Sequence, residues 1–251
     1  MWEDPTANRA HFGSLLQGNE GRFDLVLLPE MYTTGFTMDP RGKGESMTGP
    51  SVAWMKEIAT QLDTVIAGSL IVEEDGEYYN RLLAVGAEGI IHQYDKRHLF
   101  RMAGEHERYQ AGAEAPVLEL KGWRILPLIC YDLRFPVWSR NGVGRKGNRP
   151  EYDVLVYVAN WPKARVEHWK LLLRARAVEN HAYCLGVNRI GQDGNDYAFT
   201  GDSAVIDFMG KVLTTATDQP AMLTATLRKE PLQQYREKFP VWQDADDFSL
   251  L

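Results

Sequence analysis

Apolar positions along the chain fall into two rhythms. Val52, Met55, Ile58, Ala59 and Leu62 recur at helical spacing behind Gly49-Pro50-Ser51, which predicts a helix with one inward face. Asp4-Pro5 offers an N-cap followed by proline at the first helical position, and predicts a helix to about Gln17. Trp169, Leu172, Leu173 and Ala177 give a third apolar stripe within Val166–His181. Elsewhere the apolar runs are short and bounded by turn residues. Strands are expected at Phe23–Pro29, Thr64–Val72, Tyr79–Val85, Gly89–Tyr94, Arg124–Ile129, Asp153–Val158, Tyr183–Asn188, Ser203–Asp207, Val212–Thr215 and Met222–Leu227. Gly86-Ala-Glu-Gly89 and Phe208-Met-Gly210 read as hairpin turns. Residues 97–116 read as a long irregular loop, a kind of segment that tends to carry function. The tail from Lys229 reads as a short helix and an arm.

These elements alternate between helix and strand, and the hairpins exclude a purely parallel sheet. The expected fold class is therefore mixed-sheet α/β, with helices covering the sheets. The chain has 251 residues and shows no repeat, linker or low-complexity tract, so one domain over residues 1–251 is expected. A formal net charge of −6 argues against nucleic-acid and anionic-membrane partners. No apolar run approaches the roughly 20 residues that span a bilayer, and Met1-Trp-Glu-Asp-Pro5 lacks the features of an export signal. With two cysteines the expectation is a cytoplasmic protein with free thiols.

Three strand ends carry reactive side chains. Glu30 follows Phe23–Pro29, Lys96 follows Gly89–Asp95, and Cys130 follows Trp123–Ile129. Open α/β sheets bind ligands beyond such ends. A thiolate attacks carbonyl carbon far better than a thiol, so the cysteine needs a proton acceptor or a stabilising cation. Glu30 supplies the first and Lys96 the second, if the three converge. Taken singly, each has a plainer reading: a strand-end acid, a solvated turn lysine, an inert core thiol.

The local sequences sharpen this. Pro29-Glu30, Tyr94-Asp-Lys96-Arg-His-Leu-Phe100 and Cys130-Tyr-Asp-Leu-Arg-Phe-Pro136 resemble, in order, the three signature motifs of the nitrilase, or carbon–nitrogen hydrolase, superfamily. The resemblance continues through Ala159-Asn-Trp-Pro162, Arg174-Ala-Arg-Ala-Val-Glu-Asn180, Asn188-Arg-Ile-Gly191 and Gly201-Asp-Ser-Ala-Val-Ile-Asp207. Glu30-Met-Tyr-Thr-Thr-Gly-Phe36 and Cys130 to Ser139 are most similar to the omega-amidase branch. The resemblance implies an αββα sandwich, a Glu30–Lys96–Cys130 triad, and no metal or other cofactor. It implies a small-molecule amide substrate, a monoamide of a 2-oxo dicarboxylic acid such as 2-oxoglutaramate or 2-oxosuccinamate, cleaved through a cysteine thioester. It also implies a homodimer, with Trp138, Trp169, Phe239 and Trp242 as candidates for the shared surface. Alternatives within the fold are a carbamoylase, a nitrilase or another amidase; outside it, a non-catalytic binding protein.

The resemblance implies further site residues. A second glutamate is expected in the loop after the lysine; Glu105 fits the spacing better than Glu107. The backbone N–H of Tyr131 is a candidate oxyanion donor beside Lys96. Arg134 is the first candidate to hold a substrate carboxylate, with Arg101 and Arg108 behind it, because the guanidinium fork matches that group. For Arg134 the alternative is a structural ion pair beneath the site. Tyr32, Phe36 and Trp161 are candidates for the pocket wall, with core packing as the alternative. Members of the superfamily begin with a strand before the first helix. The expectation here is that this strand is missing and that the sheet is less stable for it. Gly142-Val-Gly-Arg-Lys-Gly147 fits a dinucleotide-binding pattern but precedes a strand and is followed by Pro150, so it is read as an exposed basic loop. His92, His98 and His106 lack tight ligand spacing, and Cys184 is read as an inert core thiol.

Overall fold

The computed structural model describes residues 1–142 and 150–246. Helix α1 (Pro5–Leu16) starts where Asp4 accepts the N–H of Ala7 at 2.9 Å. Strand β1 (Leu25–Leu27) follows, then helix α2 (Pro50–Leu62), which buries Val52, Met55, Ile58, Ala59 and Leu62. Strands β2 (Val65–Glu74), β3 (Glu77–Gly86) and β4 (Gly89–Asp95) form an antiparallel run with β1 added in parallel, in the order β1-β2-β3-β4. The outer edge of β1 pairs with no strand among the described residues.

The second sheet has seven strands: β5 (Leu118–Leu120), β6 (Trp123–Ile129), β7 (Val154–Ala159), β8 (Tyr183–Asn188), β9 (Ile190–Gln192), β10 (Ala198–Ile206) and β11 (Val212–Thr217). Their order is β11-β10-β8-β7-β6-β5, with β9 on β10. Strands β6, β7 and β8 are parallel. Helix α3 (Val166–Asn180) packs on β8 and β10, and helix α4 (Lys229–Lys238) follows the last strand.

Side-chain parity explains the layering. Val65, Ala67, Leu82, Ala84 and Tyr94 face the second sheet and share one core with Ile125, Ile129, Val154, Val156 and Val158. Ile66, Leu70, Val72, Leu83 and Val85, one residue out of phase, face α1 and α2. Trp169, Leu173 and Ala177 of α3 close the far side. The result is the helix–sheet–sheet–helix sandwich of mixed sheets that the resemblance implies.

Two expectations are corrected. Residues 222–227 are not a strand: no partner row of N–H and C=O groups lies beside them among the described residues, and Met222 is 46% exposed. Strands β5 and β9 lie where none was expected. The stretch from Val143 to Gly147, which carries most of the glycine-rich pattern, lies outside the described residues.

Candidate active site

Strand geometry brings the three reactive groups together. Glu30 stands three residues past β1 and is followed by Met31 in the left-handed region (φ 42°). Lys96 follows β4, on the same parity as the inward Tyr94, so its chain runs into the space between the sheets. Cys130 (φ 44°) opens a 3-10 turn, Cys130–Arg134, directly on the end of β6. A non-glycine residue at this φ is strained, and strain held at a reactive residue is a mark of a functional turn.

The Lys96 ammonium lies 2.8 Å from Glu30 Oε1 and 3.0 Å from both Glu105 oxygens, with all three side chains fully buried. Glu105 is delivered by a 3-10 turn, Glu105–Glu107, in the 97–116 loop, and also accepts the N–H of Phe100. The loop returns onto Lys96 through Gly112, whose N–H bonds the Lys96 carbonyl at 3.0 Å. A Cβ there would sit 2.2 Å from the Asp95 carbonyl oxygen, so only glycine permits the closure. Of the two loop glutamates the structure brings Glu105 to the lysine; Glu107 points outward with its side chain 68% exposed.

Glu30 Oε2 accepts the backbone N–H of Asn160 at 2.9 Å, while the Asn160 amide donates to the Glu30 carbonyl at 2.7 Å. Asn80, on β3, donates to Glu30 Oε1 at 2.8 Å and to Glu105 Oε1 at 3.3 Å. The Cys130 thiol lies near enough to Glu30, Lys96 and the Asn160 backbone to interact electrostatically with all three. Burial, reinforced by the Glu30 carboxylate, pushes this thiol well above its ordinary range, and Lys96 only partly opposes the rise. That direction favours a thiol whose proton must be taken, the role open to Glu30. Burial alone would pull the Lys96 ammonium down, but Glu105, Glu30 and the thiol hold it above its usual value. Burial also pushes the Glu105 carboxyl up, against Lys96.

A buried network braces the elbow. Asp132 accepts from Ile129 N (3.0 Å), His98 N (3.0 Å) and the Tyr94 hydroxyl (2.7 Å), and pairs with His98 Nδ1 (2.8 Å). Trp138 Nε1 donates to the same hydroxyl at 3.1 Å.

The remaining candidates separate by position. Phe36 faces the ammonium, its ring centre 4.9 Å from Lys96 Nζ. Tyr131 follows the nucleophile and packs edge-on against Phe100 at 5.0 Å. Arg134 stacks over Trp161 at 4.8 Å and bonds His168 at 3.0 Å, with no carboxylate partner among the described residues. Arg101 and Arg108 are exposed on the loop. Tyr32 lies away from this cluster, in the core with Phe12 and Trp54. Trp138 and Trp169 are buried, the latter donating to the Asp202 carbonyl, whereas Phe239 is 54% exposed. Cys184 is a buried free thiol. Among the described residues no three His, Cys, Asp or Glu side chains are grouped to hold a metal ion, and no helix is long and apolar enough to cross a membrane.

Sequence reasoning missed Asn80 and Asp132. Parity carried a signal for the first: Asn80 shares its strand face with Leu82 and Ala84, a polar side chain on an otherwise apolar inner face.

Known proteins of the same build exist. The chain is 48% identical over 251 residues to omega-amidase YafV of Escherichia coli (strain K12), covering 100% of this chain and 94% of that protein. It is 35% identical over 224 residues to 2-oxoglutaramate amidase of Bacillus subtilis (strain 168), covering 88% and 84%. The crystal structure of XC1258 from Xanthomonas campestris, a CN-hydrolase superfamily protein with an arsenic adduct in its active site, superposes with TM-score 0.95 at 45% identity, covering 100% of this chain and 95% of that one. The carbon-nitrogen hydrolase family model matches residues 1–237. An acid, an amine and a thiol gathered between two sheets, on a chain matched almost end to end, make this protein a member of the carbon-nitrogen hydrolase family.

Proposed function

We propose that this protein is an omega-amidase, hydrolysing the carboxamide of 2-oxo dicarboxylic acid monoamides such as 2-oxoglutaramate. The observation that carries the reading is the buried cluster in which Lys96 Nζ stands within 3.0 Å of both Glu30 and Glu105, with the Cys130 thiol near enough to interact electrostatically with Glu30 and Lys96. Similarity over 100% of this chain to omega-amidase YafV and over 88% of it to 2-oxoglutaramate amidase supports the substrate class.

The geometry suits a two-step acyl transfer. Glu30 takes the thiol proton as Cys130 Sγ bonds the carboxamide carbon. The resulting oxyanion is met by the Lys96 ammonium and by the N–H of Tyr131, at the head of its turn, where N–H groups have no partner within the turn. Glu30 returns the proton to the departing nitrogen, ammonia leaves, and a thioester remains. Water then gives its proton to Glu30 and attacks the thioester, releasing the 2-oxo dicarboxylate and the thiol. Glu105 shares the ammonium and keeps it aimed. Arg134, a guanidinium with no carboxylate partner among the described residues, suits the far carboxylate of the substrate. Phe36 and Trp161 suit the pocket walls, and Tyr32 serves packing instead. The reaction needs no metal or cofactor in this scheme, and we extend the proposal to one domain, cytoplasmic and assembled as a homodimer.

The test is ammonia release from 2-oxoglutaramate by wild type and Cys130→Ala. Release by wild type that vanishes in the variant is expected. A folded wild type releasing none would reject the omega-amidase reading.

A further inference from the structure

We infer that Asn80 is a positioning residue of this reaction: its side-chain amide holds the Glu30 and Glu105 carboxylates beside the single Lys96 ammonium, so that Glu30 stays free to take the Cys130 proton. The inference rests on Glu30 being the base.

The cluster is short of positive charge. Two fully buried carboxylates share one ammonium, since Lys96 Nζ reaches Glu30 Oε1 at 2.8 Å and Glu105 at 3.0 Å. Like charges so close in a dry site favour uptake of a proton by one of them, and a protonated Glu30 cannot act as base. Another cation would neutralise the excess but compete with Lys96 and weaken the base. A neutral amide does neither. Asn80 is fully buried and spends its N–H groups on Glu30 Oε1 at 2.8 Å and Glu105 Oε1 at 3.3 Å. Both facing atoms are acceptors, which fixes the NH2 toward them.

Two further observations separate this role from packing. The carbonyl oxygen of the Asn80 side chain is buried with no hydrogen-bond partner among the described residues. An unpaired buried oxygen is unfavourable, and an apolar residue of similar size would avoid it. The amide is thus kept for what its nitrogen does. In addition, the Asn80 backbone carbonyl accepts the Lys96 N–H at 3.0 Å, so one residue fixes the lysine's main chain and both of its acidic partners.

The experiment is the pH profile of kcat/KM for wild type, Asn80→Ala, Asn80→Ser and Asn80→Asp, with folding checked by thermal melting. The probes are 2-oxoglutaramate and p-nitrophenyl acetate, an activated ester that reports thiol acylation without a carboxylate to bind. Loss of the donor destabilises the ionised carboxylates, so the acid limb must move to higher pH. Asn80→Ala is expected to lose about 10- to 100-fold in kcat/KM at neutral pH and to raise the acid midpoint by about one pH unit, the scale of a lost charge-assisted hydrogen bond. Asn80→Ser should recover part of both effects, and Asn80→Asp should shift furthest. A folded Asn80→Ala with an unmoved acid midpoint would overturn the inference, whatever its rate. So would failure of all three variants to fold, which would make Asn80 structural. A wild type inert toward 2-oxoglutaramate but acylated by the ester would sink the omega-amidase reading and leave the Asn80 test readable. A wild type acylated by neither probe would remove the base that Asn80 is assigned to guard, and the inference with it.

Discussion

Glu105 and Glu107 sit two residues apart on one short turn, yet the first is fully buried on Lys96 and the second lies largely in solvent. The difference makes a test of the loop's role. Glu105→Gln keeps the shape but removes the charge that holds the ammonium, and a misaimed donor in a dry site loses most of its value. We expect kcat for ammonia release to fall roughly 10²- to 10³-fold, with Glu107→Gln within twofold of wild type. Steady-state kinetics on both variants decide it, and a Glu105→Gln enzyme at wild-type kcat would remove Glu105 from the machinery. Glu30, Lys96 and Cys130 were legible in the sequence because each closes a run that reads as a strand and the three runs carry recognisable local motifs. Asn80 was not read, because its sequence neighbours are a tyrosine and an arginine and its inward direction emerges only from strand parity. The direction in which the Cys130 thiol is pushed was not legible either, since sequence shows the neighbouring cation but not the burial that outweighs it.

In the proposed mechanism the element that aims Cys130 is the turn from β6 into Cys130–Arg134, and Asp132 is its brace. One carboxylate collects donors from β6 (Ile129), from the stretch after β4 (His98) and from Tyr94, and so ties the nucleophile's turn to the lysine's strand. Asp132→Asn exchanges an acceptor for a donor and turns one attraction into a clash of N–H groups. Misplacement of a reacting group by about 1 Å can cost on the order of 10²-fold in rate. We expect kcat of Asp132→Asn to fall at least tenfold with KM changed far less, and Tyr94→Phe to show a milder form of the same pattern. Wild-type kcat in a folded Asp132→Asn would show that the strained elbow holds without its brace. At this scale most of the fold was legible. The stripes of α2 and α3 and the runs of β2 to β4 and β6 to β8 are long enough for period to show. Strands β5 and β9, three residues each, are too short for any period. Residues 222–227 misled in the opposite way: their alternation is that of a strand, but a strand also requires a neighbour to accept its hydrogen bonds.

Across the whole molecule, the sandwich is closed at its C-terminal end by an ion cluster rather than by apolar packing alone. Helix α4 buries Leu232, and its Arg236 reaches Asp153 at the start of β7 (2.8 Å), the Tyr152 carbonyl (2.7 Å) and the His181 carbonyl (2.8 Å). Asp153 is also held by Arg124 (2.7 Å) and Lys229 (3.5 Å). Burial alone would push this carboxyl up, but the Arg124 hydrogen bonds and the charges of Arg124, Arg236 and Lys229 hold it below the usual aspartate value. The sign of the pH dependence follows. A carboxyl that titrates lower folded than unfolded stabilises the fold fully above its unfolded value, near pH ~4, and that contribution is lost as pH falls toward the folded value. Asp153→Asn should therefore be less stable at pH 7, by about 3 kcal/mol for a buried ion pair deprived of one partner. It should also lose less on acidification, because the unfolded variant has one proton fewer to bind. Melting temperatures of the two proteins measured from pH 7 to pH 3 should converge below about pH 4. Parallel curves down to pH 3 would mean that the three cations around Asp153 set its geometry without setting its titration, and that the acid sensitivity of the sandwich lies elsewhere.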